Sequence, residues 1–212
     1  MNRQNFALLA FALVAATAGI AAGIWSFRAE APADAGFIYP EPRPVPAFEL
    51  VRHDGTRFDS RTLAGRWSFV YFGFTYCPDV CPTALVDLSR VQQSLEREGL
   101  DRDTRYYFVS VDPKRDTPAR LAEYVVHFNS RFWGVTGDLP ELERFARAVG
   151  VGFSYPQGTD GDHYPVDHTS LVVLFGPDAK VHAVFPSPHR PDVMIEGFRR
   201  ATARAAASPL SR

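Results

Sequence analysis

A buried strand that leads through two cysteines into a helix is the feature that most constrains the fold of this chain. Phe69 to Phe74 is a short aromatic and β-branched run, typical of a strand buried on both faces. Cys77 and Cys81 follow it and are the only cysteines among 212 residues. Apolar residues then recur at near-helical spacing from Leu85 to Leu95. Two thiols therefore stand at the carboxyl end of a strand, where open α/β sheets bind ligands.

The spacing of the cysteines is one residue longer than the C-x-x-C of redox motifs. On a helix, residues four apart lie on one face, with β-carbons about 5–6 Å apart. Pro82 disfavours helical geometry at Cys81 and suits a first helical position. The sequence therefore predicts a turn carrying Cys77 and a helix that starts near Pro82. Either arrangement lets the sulfurs share a metal or form a disulfide, and a helix N-terminus favours the thiolate.

Composition bounds the class of protein. A hydrophobic content of 46% and a charged content of 22% are ordinary for a globular chain. The net charge of −1 gives no support for a nucleic-acid partner. Two cysteines form at most one disulfide, which cannot by itself stabilise a domain of this size, so they indicate a functional site rather than a disulfide framework.

The N-terminal segment predicts a membrane anchor. Phe6 to Trp25 carries no charge and is long enough, at about 20 residues, to span a bilayer as a helix. Arg3 precedes it, and Trp25 suits the membrane interface. The alternative is a cleaved signal peptide, with Ala29 to Ala31 as the small-residue cleavage site; its apolar region would be shorter, at about 7–15 residues. We expect the uncleaved anchor, and both alternatives export the rest of the chain.

These features divide the chain into four predicted parts. Residues 1–28 form a single-pass anchor in a bacterial-type inner membrane, with a cytoplasmic N-terminus. Residues 29–46 form a semi-rigid linker, because they hold five prolines. Residues 47–204 form a periplasmic α/β domain, and residues 205–212 form a flexible tail.

The order of elements within this domain predicts its fold. A hairpin turning at Asp54-Gly55 precedes the central strand, and a second buried strand spans Tyr106 to Val111. Two helices, an antiparallel hairpin beginning at Leu171 and a last helix follow. This order is that of a thioredoxin-like fold with an N-terminal β-hairpin extension and an inserted helix. In that fold the loop before the late hairpin faces the cysteine-bearing helix, and here the loop carries His168 and Thr169 where thioredoxins keep a cis-proline.

Three segments resemble the Sco (SenC) family of membrane-anchored copper proteins: F-G-F-T-Y-C-P-D-V-C-P, S-V-D-P-K-R-D-T-P and V-D-H-T-S. The resemblance covers Phe48 to Phe198. It implies a copper chaperone that helps to build the dinuclear copper centre of cytochrome c oxidase, with one copper ion per domain on Cys77, Cys81 and His168. It also implies the copper-receiving oxidase subunit, and other copper carriers, as partners. Some family members resemble thiol–disulfide reductants instead.

The chemistry of the three side chains agrees with copper. Two thiolates and one imidazole suit Cu(I), and such a set can also hold Cu(II). Three ligands leave the ion open to a recipient, whereas a structural zinc site wants a fourth ligand. Asp162 or His163 are the candidates for that fourth ligand. Asp112 ends a strand at the same edge and is either a residue that orients the site or a loop-stabilising carboxylate.

Three functions are consistent with these residues: a copper carrier that is not an enzyme, a thiol–disulfide reductase of exported proteins, and a redox sensor in which one cysteine is oxidised and the other resolves it. A dithiol reductant or sensor needs only Cys77 and Cys81. His168 therefore favours the carrier. His182 and His189 are expected to be structural or solvated.

Overall fold

The computed structural model describes residues 15–17, 19, 36–156 and 164–207. The chain divides into two compact units, Met1–Ala35 and Gly36–Arg212, and every element below belongs to the second. Most of the predicted anchor, and the alternative cleavage site, lie outside the described residues. Within the described ranges, no helix has the length and apolar character that crossing a membrane requires.

The second unit alternates strands and helices. The strands are β1 (Phe37–Arg43), β2 (Leu50–Arg52), β3 (Arg57–Phe58), β4 (Trp67–Gly73), β5 (Thr104–Ser110), β6 (Phe132–Thr136), β7 (Phe153–Ser154), β8 (Asp167–His168), β9 (Leu171–Phe175) and β10 (Val181–Pro186). The helices are α1 (Ser60–Leu63), α2 (Val80–Arg97), α3 (Pro118–Phe128), α4 (Leu139–Ala148) and α5 (Pro191–Ala207).

One mixed sheet organises the unit, in the order β1-β10-β9-β4-β5-β6-β2-β3. Strands β4, β5 and β6 are parallel, and β9 runs antiparallel to β4. A separate two-stranded sheet pairs β7 with β8. The predicted strand–helix–strand start and the late hairpin with its helix are therefore present. The carboxyl end of β4, where the cysteines follow, lies in the middle of the main sheet.

Strand β6 is absent from the predicted order, which placed two helices in succession. Only five residues form it, and Gly134 interrupts its apolar pattern. The glycine is required by a close approach, because a β-carbon there would lie 2.7 Å from Cβ of Leu121 in α3. The strand pairs with β5 on one side and with β2 on the other. These long-range partners stabilise so short a strand.

Strand β1 corrects the predicted boundary between linker and domain. Residues 37–43 fall inside the expected 29–46 linker, but they pair antiparallel with β10, with Phe37 opposite Val184 and Ile38 opposite Ala183. The strand lies at the edge of the sheet, which is where proline is tolerated, because one row of backbone groups there needs no partner. The folded unit therefore begins at about residue 36, not at 47.

The central strand packs on both faces, as its sequence predicts. Phe69 lies against Phe198 of α5, with ring centroids 5.8 Å apart. Phe72 points to the opposite face and lies 5.4 Å from Phe145 of α4. Each of these aromatic rings is nearly inaccessible to solvent, and such rings dominate the energetics of a core. Layers on both faces thus hold β4 rigidly beneath the cysteines.

Two helix ends show how well local signals predict boundaries. Helix α2 ends at Arg97, and Gly99 follows with φ +72°. Amide hydrogen bonds from Gly99 to Glu96 O and from Leu100 to Leu95 O complete a Schellman motif. Helix α5, in contrast, extends to Ala207. The predicted tail from residue 205 is therefore partly helical, and residues 208–212 lie outside the described part.

Candidate metal centre

The cysteines occupy the junction between β4 and α2. Helix α2 begins at Val80 after Asp79, two residues before the predicted start, so Cys81 lies in its first turn and Cys77 in the preceding loop. Pro82 is tolerated because the first backbone N–H groups of a helix have no partner within it. The Cys81 amide is one such group, and it donates to Cys77 Sγ at 3.4 Å.

Three potential ligand atoms converge at this junction. One ligand atom each from Cys77, Cys81 and His168 lies within 4.8 Å of the other two, and this is the only such cluster of metal-binding side chains with three members in the described ranges. Cys81 Sγ and His168 Nε2 lie 3.4 Å apart. Both cysteines are free thiols. The structure thus brings together the three residues that the sequence predicts as copper ligands; their copper binding stays a prediction.

Strand β8 delivers His168 to the thiols. His168 pairs with Phe153 of β7, and the Thr169 amide donates to Gly152 O at 2.8 Å. The His168 ring packs edge-on against Phe74, with centroids 5.8 Å apart. Its Nδ1 atom lies 3.3 Å from Thr169 O, which leaves Nε2 facing the sulfur. The predicted opposition of this loop and the cysteine-bearing helix is therefore present.

A glycine makes room for the buried thiol. A β-carbon at Gly73 would lie 2.8 Å from Cys81 Sγ and 2.9 Å from a ring carbon of Phe108. Cys81 is completely buried, whereas Cys77 keeps 8% of its surface exposed and His168 is half-buried. The centre is therefore closed at Cys81 and reaches solvent mainly at His168, with a small exposed part of Cys77.

The two thiols differ in acidity. Hydrogen bonding from the Cys81 side chain, with further help from His168 and two backbone N–H groups, lowers the pKa of Cys77 to about 4. The same sulfur–sulfur interaction, together with burial, raises the pKa of Cys81. The metal-free pair thus consists of a Cys77 thiolate beside a protonated Cys81. A soft thiolate next to an imidazole fits copper, and binding on both sulfurs displaces the second proton.

A hydrogen-bonded chain of side chains lies beside the centre, where the Tyr71 and His168 ring centroids are 6.4 Å apart. The Ser170 hydroxyl lies 3.2 Å from the Tyr71 hydroxyl and 3.0 Å from His189 Nε2. Burial lowers the pKa of His189 to about 4, so this imidazole is neutral at pH 7. His182 instead pairs with Asp178 at 2.9 Å. Both histidines are structural, as expected.

Asp112 has the loop-stabilising role among its two predicted alternatives. Its carboxylate forms an ion pair with Arg115 and accepts a hydrogen bond from the Tyr164 hydroxyl at 2.8 Å. These contacts tie the loop after β5 to the start of the segment that leads to His168. Asp162 and His163, the predicted candidates for a fourth zinc ligand, lie outside the described residues.

Sequence reasoning missed the role of Asp116. This carboxylate is fully buried and accepts hydrogen bonds from the Thr75 amide, the Thr75 hydroxyl and the Ser110 hydroxyl. Thr75 lies two residues before Cys77. The only sequence signal was the position of Asp116 in the S-V-D-P-K-R-D-T-P segment.

Comparison with known proteins gives consistent matches. The SCO1/SenC family model matches residues 39–203. A protein of Stutzerimonas stutzeri is 36% identical over 163 residues, which cover 77% of each chain. The human mitochondrial SCO1 homologue is 38% identical over 133 residues, 63% of this chain but only 44% of the human protein. The chain thus matches less than half the length of that relative.

Solved structures of similar fold include copper-bound and redox-active relatives. The crystal structure of Arabidopsis thaliana ScoI with copper bound is 34% identical, covers 76% of this chain and 98% of that one, and has a TM-score of 0.69. BsSco, reported with a disulfide switch and described as a member of the Sco family of cytochrome c oxidase assembly proteins, is 26% identical, covers 78% and 97% of the two chains, and has a TM-score of 0.63. The predicted thioredoxin-like α/β fold of the family is confirmed, and the chain belongs to the SCO1/SenC family.

Proposed function

We propose that this protein is a copper carrier that binds one copper ion through Cys77, Cys81 and His168. The observation that carries the proposal is the convergence of these three ligand atoms within 4.8 Å. Support also comes from a relative of the same fold that was crystallised with copper bound. Membership of the family supports the fold and offers a precedent for copper binding. The cluster of two thiols and one imidazole supplies ligand types that suit copper.

The geometry suits cargo better than a resident cofactor. Copper held by two sulfurs and one nitrogen keeps a coordination position open, whereas a structural site closes its shell. That position would lie towards solvent, because His168 is only half-buried and Cys77 keeps 8% of its surface exposed, while Cys81 is fully buried. A recipient's ligand can therefore attack copper from the open side and displace His168 or Cys77 first. Cys81 would be the last ligand to leave.

We propose that the recipient is the copper-receiving subunit of cytochrome c oxidase, and that the delivered copper is incorporated into its dinuclear copper site. The support is the description of the Sco family as cytochrome c oxidase assembly proteins, together with the cargo geometry above. Other copper carriers are the corresponding donors. The test is anaerobic titration of the full-length chain with Cu(I) and Cu(II), with metal content and free thiols measured together. We expect one copper ion per chain in the wild type and loss of copper binding in both the Cys77→Ser and the Cys81→Ser variant. Stoichiometric copper binding that survives both substitutions would refute the proposal.

We also propose the anchor and the topology that the sequence predicts. The uncharged run Phe6 to Trp25 would span an inner membrane once, with residues 1–5 in the cytoplasm and the folded unit in the periplasm. Arg3 before the span supports this orientation. A shortened linker of residues 29–35 would then connect the anchor to the unit that begins at Gly36. The residues after 207 would form the tail.

A second candidate function rests on the unequal thiols. A Cys77 whose pKa is lowered to about 4 is a ready nucleophile, and Cys81 beside it can resolve the mixed disulfide once its proton passes to the leaving thiolate. This arrangement suits a thiol–disulfide reductase. His168 distinguishes the two functions, because a dithiol exchange needs no imidazole ligand. Substitution of His168 should therefore impair copper binding and leave exchange with a small disulfide intact.

A further inference from the structure

A buried carboxylate holds the loop that carries Cys77. Asp116 is completely inaccessible to solvent. One of its oxygens accepts from the Thr75 amide at 2.9 Å and from the Ser110 hydroxyl at 2.6 Å, and the other accepts from the Thr75 hydroxyl at 2.6 Å. Charged acceptors make the stronger hydrogen bonds of proteins. Thr75 is thus fixed to the end of β5 through both its main chain and its side chain.

A guanidinium secures the same loop from the outside. Arg120 of α3 donates from Nε to the Thr75 hydroxyl at 2.6 Å, and its planar group lies 4.2 Å from the centre of the Tyr76 ring. Thr75 Oγ1 therefore accepts from Arg120 and donates to Asp116. Both residues immediately before Cys77 are held in this way. Neither contact involves the cysteine itself.

The two cysteine sulfurs have different freedom to move. Cys81 lies in the first turn of α2 and is packed under Gly73, where there is no room even for a methyl group. Both thiols are free, and a disulfide would require the sulfurs to approach to about 2.05 Å. Because Cys81 is fixed, most of that movement falls on Cys77 and its loop. The contacts of Asp116 resist this movement.

We propose that Asp116 is a positioning residue that favours the open, metal-ready dithiol over the disulfide of Cys77 and Cys81. The proposal has two consequences, one for copper binding and one for disulfide formation, and the first of them rests on the proposed copper function. A preorganised pair of sulfurs binds copper more tightly, because less ordering is needed on binding. The same restraint opposes closure of the disulfide. Removing it should therefore move the two equilibria in opposite senses.

The redox step balances with a small disulfide as the oxidant. Glutathione disulfide accepts two electrons from the two sulfurs, its S–S bond breaks, and each of its sulfurs takes one proton, one from Cys81 and one from solvent, because Cys77 starts as a thiolate. A new S–S bond forms between Cys77 and Cys81. The products are one protein disulfide and two glutathione thiols. At a fixed ratio of glutathione to glutathione disulfide, the ratio of oxidised to reduced protein then measures how strongly the contacts of Asp116 oppose disulfide formation.

Asp116→Asn is the direct test. The amide group cannot replace both oxygens: at one position it would point its N–H groups at two donors, Thr75 N and Ser110 Oγ. At the other its N–H would donate to Thr75 Oγ1, so this hydroxyl would accept from both the new amide and Arg120 and would lose the carboxylate that accepts its own proton. Thr75→Val is a milder second variant that loses the hydroxyl and keeps the main-chain contact, and Thr75→Ser should restore the wild-type behaviour.

Asp101→Asn is the matched control. Asp101 is also a buried carboxylate, and it accepts from the Tyr106 hydroxyl at 2.7 Å and pairs with Arg131 at 2.6 Å. It lies before β5, at the opposite end of that strand from Asp116. Its substitution should reduce stability without releasing the cysteine loop.

The full-length chain and these variants are equilibrated with glutathione buffers and, separately, titrated anaerobically with copper. For Asp116→Asn we expect the disulfide equilibrium constant to rise and the copper affinity to fall, each about tenfold, which corresponds to the loss of about 1.4 kcal/mol. Thr75→Val should shift both in the same directions, while Thr75→Ser and Asp101→Asn should match wild type.

Unchanged disulfide equilibria in Asp116→Asn and Thr75→Val, or an equal shift in Asp101→Asn, would overturn the proposal. A wild-type chain that binds no copper would refute the proposed function, while the glutathione arm would still decide the role of Asp116.

Discussion

The sulfur of Cys81 and the Nε2 atom of His168 lie 3.4 Å apart, although 87 positions separate the two residues in the chain. The pairing of β7 with β8 and the first turn of α2 set this distance. The centre therefore exists only in the folded chain, so copper bound there would contribute to folding stability. Changes that move either element should change copper binding even where no ligand is altered.

Gly73→Ala should weaken copper binding without removing a ligand. The added methyl group would lie 2.8 Å from Cys81 Sγ, so the thiol must leave the position that it holds beside His168. We expect a fall in copper affinity of about tenfold or more, as overpacking costs about 1–3 kcal/mol. Gly134→Ala is the control, because its methyl group would meet Leu121 instead. Equal copper affinities for the two variants would contradict this account.

The reactivity of the metal-free dithiol should follow the ionisation of Cys77. Its pKa is lowered to about 4, so alkylation at Cys77 should be nearly independent of pH between 6 and 8 and fall steeply near pH 4. Burial and the sulfur–sulfur interaction raise the pKa of Cys81, so this thiol should stay unmodified. Mass spectrometry after timed alkylation with a chelator present measures both. A Cys77 reactivity that rises throughout pH 7–9, as for an ordinary thiol, would exclude the lowered pKa.

The same ionisation predicts a pH dependence of stability for the reduced, metal-free chain. An acidic group whose folded-state pKa is lowered stabilises the fold at pH values above its unfolded pKa, about 8.5 for cysteine, and loses this contribution as the pH falls towards the folded value. The difference in unfolding free energy between wild type and Cys77→Ser should therefore shrink from pH 8 to pH 4. Denaturant unfolding at several pH values measures it, and a difference that grows on acidification would be inconsistent with the lowered pKa.

Removing β1 should destabilise the folded unit. A chain that starts at Ala47 lacks the strand that covers the edge of β10, whereas one that starts at Gly36 keeps it. We expect the shorter chain to lose about 2–4 kcal/mol of unfolding free energy, from a few hydrogen bonds and some apolar burial. Urea unfolding of both chains makes the comparison. If their stabilities agree, residues 37–43 are a linker after all.

The proposed anchor predicts a membrane-bound protein with an intact N-terminus. The uncharged run Phe6 to Trp25 should keep the full chain in the inner-membrane fraction after an alkaline wash. N-terminal sequencing or intact mass should show the unprocessed start. A mature protein that begins near Ala31 and washes off in buffer would favour the signal-peptide alternative.

Local signals in the sequence were sufficient for the core of the fold. The apolar run before Cys77 predicts the central strand, the Schellman glycine at Gly99 predicts the end of α2, and the order of elements places His168 opposite the thiols. Each of these depends on neighbours in the chain or on a known arrangement of consecutive elements. They fix where the candidate ligands stand.

Features that depend on distant partners were not predictable in this way. Strand β6 is short and interrupted by Gly134, and strand β1 contains two prolines; both strands are stabilised by pairing with β5, β2 and β10. Asp116 reaches Thr75 across 41 positions, a distance that no spacing rule covers. Helix α2 starts at Val80 rather than near Pro82, where the sequence predicts its start, because a proline is tolerated in the first turn of a helix.

Copper binding by the His168→Ala variant tests the central claim most directly. Cu(I) and Cu(II) affinities and oxidase copper content are compared for wild type, Cys77→Ser and His168→Ala, with His127→Ala, an exposed histidine on α3, as the control. The account predicts that His168→Ala loses Cu(II) affinity most, because Cu(II) depends more on nitrogen ligands than Cu(I) does. It also predicts poor copper loading of the oxidase, with exchange with glutathione disulfide largely intact, because Cys81 rather than His168 contributes most to the lowered pKa of Cys77. A His168→Ala variant that matches wild type in Cu(II) affinity and in oxidase copper content would contradict the carrier mechanism and leave the reductase in its place.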